Sequence, residues 1–162
     1  MMTSTFGTTV KVSIFGESHA PKIGCTIEGL PAGFTVDLAE LKAFLQRRSP
    51  SHPWDTPRKE TDDPQFISGM SAESILDGSP LTAELPNANV RPQDYAATKL
   101  VPRPGHADFS AWAKWGDSYT QTGGGHFSAR LTAPLCIAGG IALQILRAQG
   151  ISIAAHVLKI KD

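Results

Sequence analysis

Cysteine is scarce, net charge is absent and no long apolar run is left unbroken in this 162-residue chain. Each shortage excludes something. Cys25 and Cys136 lie far apart without a partner motif, which excludes a disulfide framework and suits a reducing compartment, the cytoplasm. Fifteen basic residues balance fifteen acidic ones, so no overall field recruits nucleic acid or a membrane surface, and any anion site must be local. The opening residues lack a basic start followed by an apolar core. The most apolar stretch, around residues 131–146, is interrupted by Thr132, Pro134, Gly139, Gly140 and Gln144. Neither a secretion signal nor a transmembrane helix is expected. The histidines, His19, His52, His106, His126 and His156, show none of the spacings that mark zinc sites, so no metal is expected.

With 41% hydrophobic residues, the chain has enough apolar material for one packed domain. Residues 8–15 alternate, with Val10, Val12 and Ile14 on one side, which predicts a half-buried strand. A second strand is expected at "IGCTIEGL". Asp37 reads as the N-cap of a helix through "LAELKAFLQRR", with Leu38, Leu41, Phe44 and Leu45 as its apolar stripe, Arg47 and Arg48 in its last turn and Pro50 as its stop. Residues 49–64 read as a loop, "QFISG" and "SPLTAEL" as short strands, and residues 86–126 as loop-rich. A helix is expected from Phe127 to Gln149, kinked at Pro134 and ended by Gly150, followed by a strand at "ISIAAHVLKI". A chain that stops in or just after a strand suggests a cut in mid-fold.

Gly16-Glu17-Ser18-His19-Ala20 comes close to the Gly-x-Ser-x-Gly elbow that exposes a nucleophilic serine. That elbow must lead into a helix, whereas here Pro21, Gly24 and a second strand follow. A plain turn is one alternative reading. Another is a polar loop in which Ser18 and His19 face a ligand, the imidazole exchanging a proton near neutral pH. In "TGGGHFSAR", three glycines ahead of a helix could turn backbone amides toward an anion, with Arg130 adding a charge-assisted contact, although a flexible hinge has the same composition. Arg47, Arg48, Arg58, Arg91 and Arg103 also lie in or next to loops, as a small polyanionic ligand would require and as ordinary surface charge would also allow. Trp54, Trp112 and Trp115 could stack on a ring system or pack over a loop.

Taken together and in order, "FGESHAPKIG", "GLPAG", "RRSP", "RPGHADF" and "GGGHFSARLTAP" resemble the N-terminal part of the chorismate synthases, from about Phe6 onward. The resemblance implies an α+β fold of antiparallel strands packed with helices, with residues 1–162 forming the N-terminal part of a single domain. It implies a lyase of the shikimate pathway of aromatic amino acid biosynthesis, which removes phosphate and a ring proton from 5-enolpyruvylshikimate 3-phosphate to give chorismate. Such enzymes need reduced FMN without net redox change, work as homotetramers, and obtain reduced flavin either with NADPH or from a separate flavin reductase.

Carried over position by position, His19 falls where the family protonates the departing phosphate. His106 falls where a second histidine sits beside the reduced flavin. His126, Phe127 and Ser128 match FMN-binding positions, Arg48 matches an arginine assigned to the phosphorylated substrate or to a nicotinamide nucleotide, and Arg130 matches a substrate-binding arginine lining the same pocket. Ser18, Arg91 and Arg103 are further substrate-binding candidates. The chain departs from the pattern at Ala20, which replaces a glycine, at Trp54, near the place of a basic residue, and at Thr122, where an arginine is common. The family's remaining flavin contacts lie in its C-terminal half, so this chain alone is expected not to turn over. The competing classes are a hydrolase using Ser18 and a non-catalytic anion-binding paralogue.

Overall fold

A computed structural model describes residues 3–56, 58–88, 90, 101–116, 119 and 123–161. Among them, strands β1 (Thr3–Phe6), β2 (Lys11–Gly16), β3 (Lys22–Glu28), β4 (Gln65–Ser68) and β5 (Leu81–Pro86) form one antiparallel sheet in the order β1-β2-β3-β5-β4. Its helices are α1 (Leu38–Gln46), α2 (Asp108–Trp115) and α3 (Thr132–Ala148). The expected α+β fold is therefore observed.

Alternation explains which face of the sheet is covered. Ile23, Cys25 and Ile27 on β3 and Leu81, Ala83 and Leu85 on β5 recur at every second position, so they point to one side. There they form a single buried cluster with Leu41 and Leu45 of α1 and Ile137, Ala138 and Ile141 of α3. Val12 continues this face into β2, and Val10, expected beside it in a strand, lies in the preceding bend instead.

Asp37 caps α1 as its sequence predicts, with Oδ1 accepting from the Glu40 N–H at 2.9 Å. Gln144 on α3, which interrupts an apolar run in the sequence, accepts from the Asp37 N–H at 2.8 Å and donates to its carbonyl at 2.9 Å. One buried amide thus pins the start of α1 to the side of α3. Helix α1 ends at Gln46, leaving Arg47 at the cap and Arg48 beyond it rather than in the last turn.

Residues 125–131 are two short 3-10 turns, so α3 begins five residues later than the sequence pattern suggests. Pro134 consequently occupies the first turn of α3, where an amide hydrogen is unpaired in any case, and it has no intrahelical bond to break. The far end follows the glycine rule. Gly150 adopts φ 77° and donates to the Arg147 carbonyl, and the Ile151 N–H donates to Leu146, which together close the last turn. By length and composition Ala129–Ala148 could cross a membrane, with mean hydropathy 1.5, but half of that stretch is buried within the fold.

Three further departures from the sequence pattern concern whole elements. Residues 151–160 are not a strand: among the described residues they pair with no neighbour and are exposed, so alternating Ile151 and Ile153 find no ladder to join. Helix α2 was hidden in a segment read as loop because its eight residues carry exposed Phe109 and Trp112 and bury Asp108, which inverts the usual stripe. Strand β1, with the mostly exposed residues Thr3–Phe6, shows no hydrophobic period at all.

Candidate active site

Residues Glu17–Pro21 join β2 to its antiparallel neighbour β3, so "GESHAP" is a hairpin connection at the end of the sheet. No helix stands behind Ser18, and the geometry of a nucleophile elbow is absent from it. The connection is held from two directions. Asn87, just past β5, donates through Nδ2 to the carbonyls of Ala20 at 2.7 Å and Glu17 at 3.3 Å, while its own N–H donates to Pro21 at 2.9 Å. From the other side the Ser18 N–H donates to the Gly125 carbonyl at 3.0 Å. Ser18 is buried and His19 half-buried. Ala20 needs no left-handed backbone, so replacing the family's glycine leaves no strain there.

The glycine run has a different use from the one expected of it. It does not open α3, which starts at Thr132, so no long-helix N-terminus stands behind it. Gly123 instead passes against the His19 imidazole, where a Cβ would fall 2.7 Å from Nε2 and 3.2 Å from the Ser18 hydroxyl, at φ 60°. The position admits glycine because the ring occupies the space a side chain would need.

His126 is buried with both ring nitrogens engaged: Nδ1 contacts the Gly16 carbonyl at 2.8 Å and Nε2 the Ser4 hydroxyl at 2.9 Å. A carbonyl only accepts, so Nδ1 carries the proton and Nε2 accepts from Ser4. Phe127 is exposed, Trp115 lies 5.7 Å from its ring centroid, and the Ser128 hydroxyl accepts from the Arg130 N–H at 3.2 Å.

Arg48 and Arg130 meet over Asp62, each donating through Nη1 to one of its two carboxylate oxygens. Arg130 also donates from Nε to the Asn87 side-chain oxygen at 2.9 Å, so Asn87 links this cluster to the His19 hairpin. The side chains of Arg130 and Asp62 are each 4% exposed and that of Arg48 19%. Two guanidiniums share one carboxylate, which leaves one net positive charge. Arg48 Nε and Arg130 Nη2 are buried without a partner among the described residues. An orphaned buried donor costs about 1–3 kcal/mol, so an acceptor placed here would be bound strongly.

His106 belongs to a third group. Asp108, buried at the first position of α2, accepts from the Arg103 N–H at 3.0 Å, from Arg103 Nε at 2.7 Å and from the Tyr119 hydroxyl at 2.9 Å, and it lies 2.6 Å from His106 Nδ1. The Arg103 guanidinium, helped by its backbone N–H and Tyr119, holds the Asp108 carboxyl well below the usual range despite burial. Burial and the neighbouring Asp108 push the Tyr119 hydroxyl up. Arg103 Nη2 donates to the Gly123 carbonyl at 2.6 Å. Gly123 therefore has His19 on one side and the Arg103–His106 loop on the other.

Of the residues singled out in the sequence, Ser18, His19, Arg48, Arg103, His106, His126, Ser128 and Arg130 join this connected set. Arg91 and Thr122 lie outside the described residues. Arg58 pairs with Glu60, and Trp54, 80% exposed, stacks on His52. The sequence reading missed Asp62, Asn87, Asp108 and Tyr119; only Asp108 carried a signal, standing two residues from His106. A groove of about 440 Å³ between α1 and α3 is lined by Arg47 but by none of the other candidate residues, so volume and chemistry separate here. Among the described residues, no group of three or more His, Cys, Asp or Glu is placed to hold a metal ion.

A family model described as chorismate synthase matches residues 10–162. The chain is 88% identical over its whole length to a chorismate synthase of Lancefieldella parvula, of which it covers 43%. It is 40% identical over 154 residues to a chorismate synthase of Thermococcus kodakarensis, covering 95% of this chain and 43% of that one. A solved structure described as a crystal structure of chorismate synthase superposes with a TM-score of 0.58 at 21% identity, over 90% of this chain and 36% of that chain, and supports the fold. The chain thus spans less than half the length of these relatives. With 153 consecutive residues matched by the family model, from 10 to 162, the chain belongs to the chorismate synthase family.

Proposed function

We propose that this chain supplies the phosphate-recognition and proton-transfer side of an active site that converts 5-enolpyruvylshikimate 3-phosphate to chorismate and phosphate. The observation that carries the reading is the buried Arg48–Asp62–Arg130 cluster, with its surplus positive charge and orphaned donors, tied through Asn87 to the hairpin that bears His19. Arg48 and Arg130 bind the substrate phosphate, and His19 donates a proton to it as the carbon–oxygen bond breaks. His106 helps set the protonation of the flavin, Arg103 and Ser18 complete the polar lining, and Arg91 is a further candidate for binding the substrate.

The donor chemistry also fits FMN. Residues 123–128 set Gly123 against His19 and carry the exposed Phe127 ring and the Ser128 hydroxyl in the same segment, while the two ring nitrogens of His126 are already bonded. Reduced FMN, when bound, supplies the electron lent to the substrate and recovered when the ring hydrogen leaves. In this reading the working protein is a cytoplasmic homotetramer of a longer polypeptide, its flavin reduced with NADPH or by a separate reductase.

The test is anaerobic phosphate release from 5-enolpyruvylshikimate 3-phosphate with chemically reduced FMN. The 162-residue chain alone should not turn over, whereas the longest polypeptide its natural source makes should, and His19→Ala should slow it by about 10²-fold or more. Wild-type rates in the His19→Ala protein would refute the role of that residue. Phosphonate labelling of Ser18 would favour hydrolysis.

A further inference from the structure

His106 has two ring nitrogens and only one can face a reacting group, so what fixes its tautomer decides what it can do. Nδ1 lies 2.6 Å from Asp108 Oδ1. Two lone pairs cannot sit that close, and the carboxylate, already accepting from Arg103 and Tyr119, has no proton to give. Nδ1 must therefore carry the hydrogen, because its 2.6 Å approach to Asp108 Oδ1 outweighs the longer 3.4 Å contact with Arg103 Nη2, which would need a bare Nδ1. Nε2 has no hydrogen-bond partner among the described residues, and the side chain is 28% exposed.

We propose that Asp108 is the positioning residue of His106, holding the ring as the Nδ1–H tautomer so that Nε2 presents its lone pair to the bound ligand. Arg103 and Tyr119 orient the carboxylate rather than the ring. Arg103 uses its backbone N–H and Nε on Oδ2 and its Nη2 on Oδ1, where Tyr119 also donates, so both carboxylate oxygens are fixed. No proton leaves Asp108 at any stage; it accepts from Nδ1 throughout. The inference rests on the reading of His106 as a proton-handling residue, but the tautomer itself does not.

Asp108→Ala makes a directional prediction. It removes the acceptor that holds the hydrogen on Nδ1 and leaves Arg103 Nη2, a donor 3.4 Å from that atom. The ring proton then moves to Nε2, the atom that should accept. Long-range proton–nitrogen correlation spectra of histidine-labelled protein, at a pH where the ring is neutral, report the tautomer directly without substrate. The expected result is Nδ1–H for His106 in the wild type and Nε2–H in Asp108→Ala. An Nε2–H tautomer in the wild type overturns the proposal, and this measurement stands even if the variant does not fold.

In the full-length enzyme, folded Asp108→Ala should lose about 10²-fold in kcat with KM changed little, and Asp108→Glu should recover part of the loss. Unchanged kcat in folded Asp108→Ala overturns the positioning role. Absence of phosphate release by the wild-type enzyme would instead overturn the proposed function, leaving the tautomer result in place.

Discussion

Asp62→Asn removes the one negative charge between Arg48 and Arg130 while preserving nearly everything else. Asn fills the same volume and tolerates the φ of 48° that Asp62 adopts, so the backbone introduces little strain. Breaking a buried ion pair on one side costs about 3–5 kcal/mol, because the remaining charge stays out of water. That figure applies to Arg130, whose side chain is 4% exposed. Arg48, at 19%, can turn toward solvent, which holds its share to about 1 kcal/mol or less. The Asn oxygen still accepts one hydrogen bond, returning about 1 kcal/mol. The expected net loss is about 2–5 kcal/mol, or about 4–20 °C in Tm for a domain of this size. Urea and thermal unfolding measure it. A loss below about 1 kcal/mol would show that the cluster is not buried as described. Phosphate gives a second readout: two cations without their carboxylate carry two net charges instead of one, so inorganic phosphate should raise the unfolding midpoint of the variant more than that of the wild type. Equal shifts would refute the cluster as an anion site.

Three other outcomes follow from single contacts. Gly123→Ala places a Cβ against His19 Nε2 at a positive φ, and should cost about 1–2 kcal/mol in unfolding free energy and reduce phosphate release by the full-length enzyme far more than its stability. Burial pushes the Cys25 thiol up to about 12, and burial also raises Cys136, which is only partly covered. A disulfide reagent at pH 8 should therefore modify Cys136 slowly in the native protein and Cys25 only on unfolding. Asp108 has a folded pKa depressed below its usual 3.8, so its contribution to stability is fully present above about pH 5 and is lost as pH falls below about 4. The stability gap between wild type and Asp108→Asn, read from urea midpoints, should narrow on acidification through that window; a constant gap would contradict the ionised network.

What could be read from the sequence was whatever repeats with a period or sits at a chain landmark. Period two over residues 8–15 located β2, and the α1 stripe with its Asp37 cap located that helix to within two residues of its end. The failures share a cause: the deciding partner is distant in sequence. Whether "ISIAAHVLKI" becomes a strand depends on a neighbour to pair with, and alternation cannot supply one. Pro134 looked like a kink because the pattern ran back to Phe127, and only the 3-10 turns show that it stands in a first turn.

The site divides along the same line. Histidines and arginines could be singled out because their chemistry is rare and their loops glycine-rich, but the groups that give them direction are ordinary acids and amides. Asp62 lies 68 residues before Arg130, and Asn87 serves a hairpin 67 residues upstream through Ala20. Neither has a spacing that ties it to its partner. Asp108 is the exception that shows why, since it acts on His106 within one loop and could have been inferred from "RPGHAD" alone. Local partners can be read from a sequence; long-range polar partners come into view only when the sheet order β2-β3-β5 brings the ends of three strands together and places Asn87 beside the hairpin. The candidate chemistry of this chain is thus set less by which reactive residues it contains than by a topology that lets one amide hold the His19 hairpin and Arg130 at once.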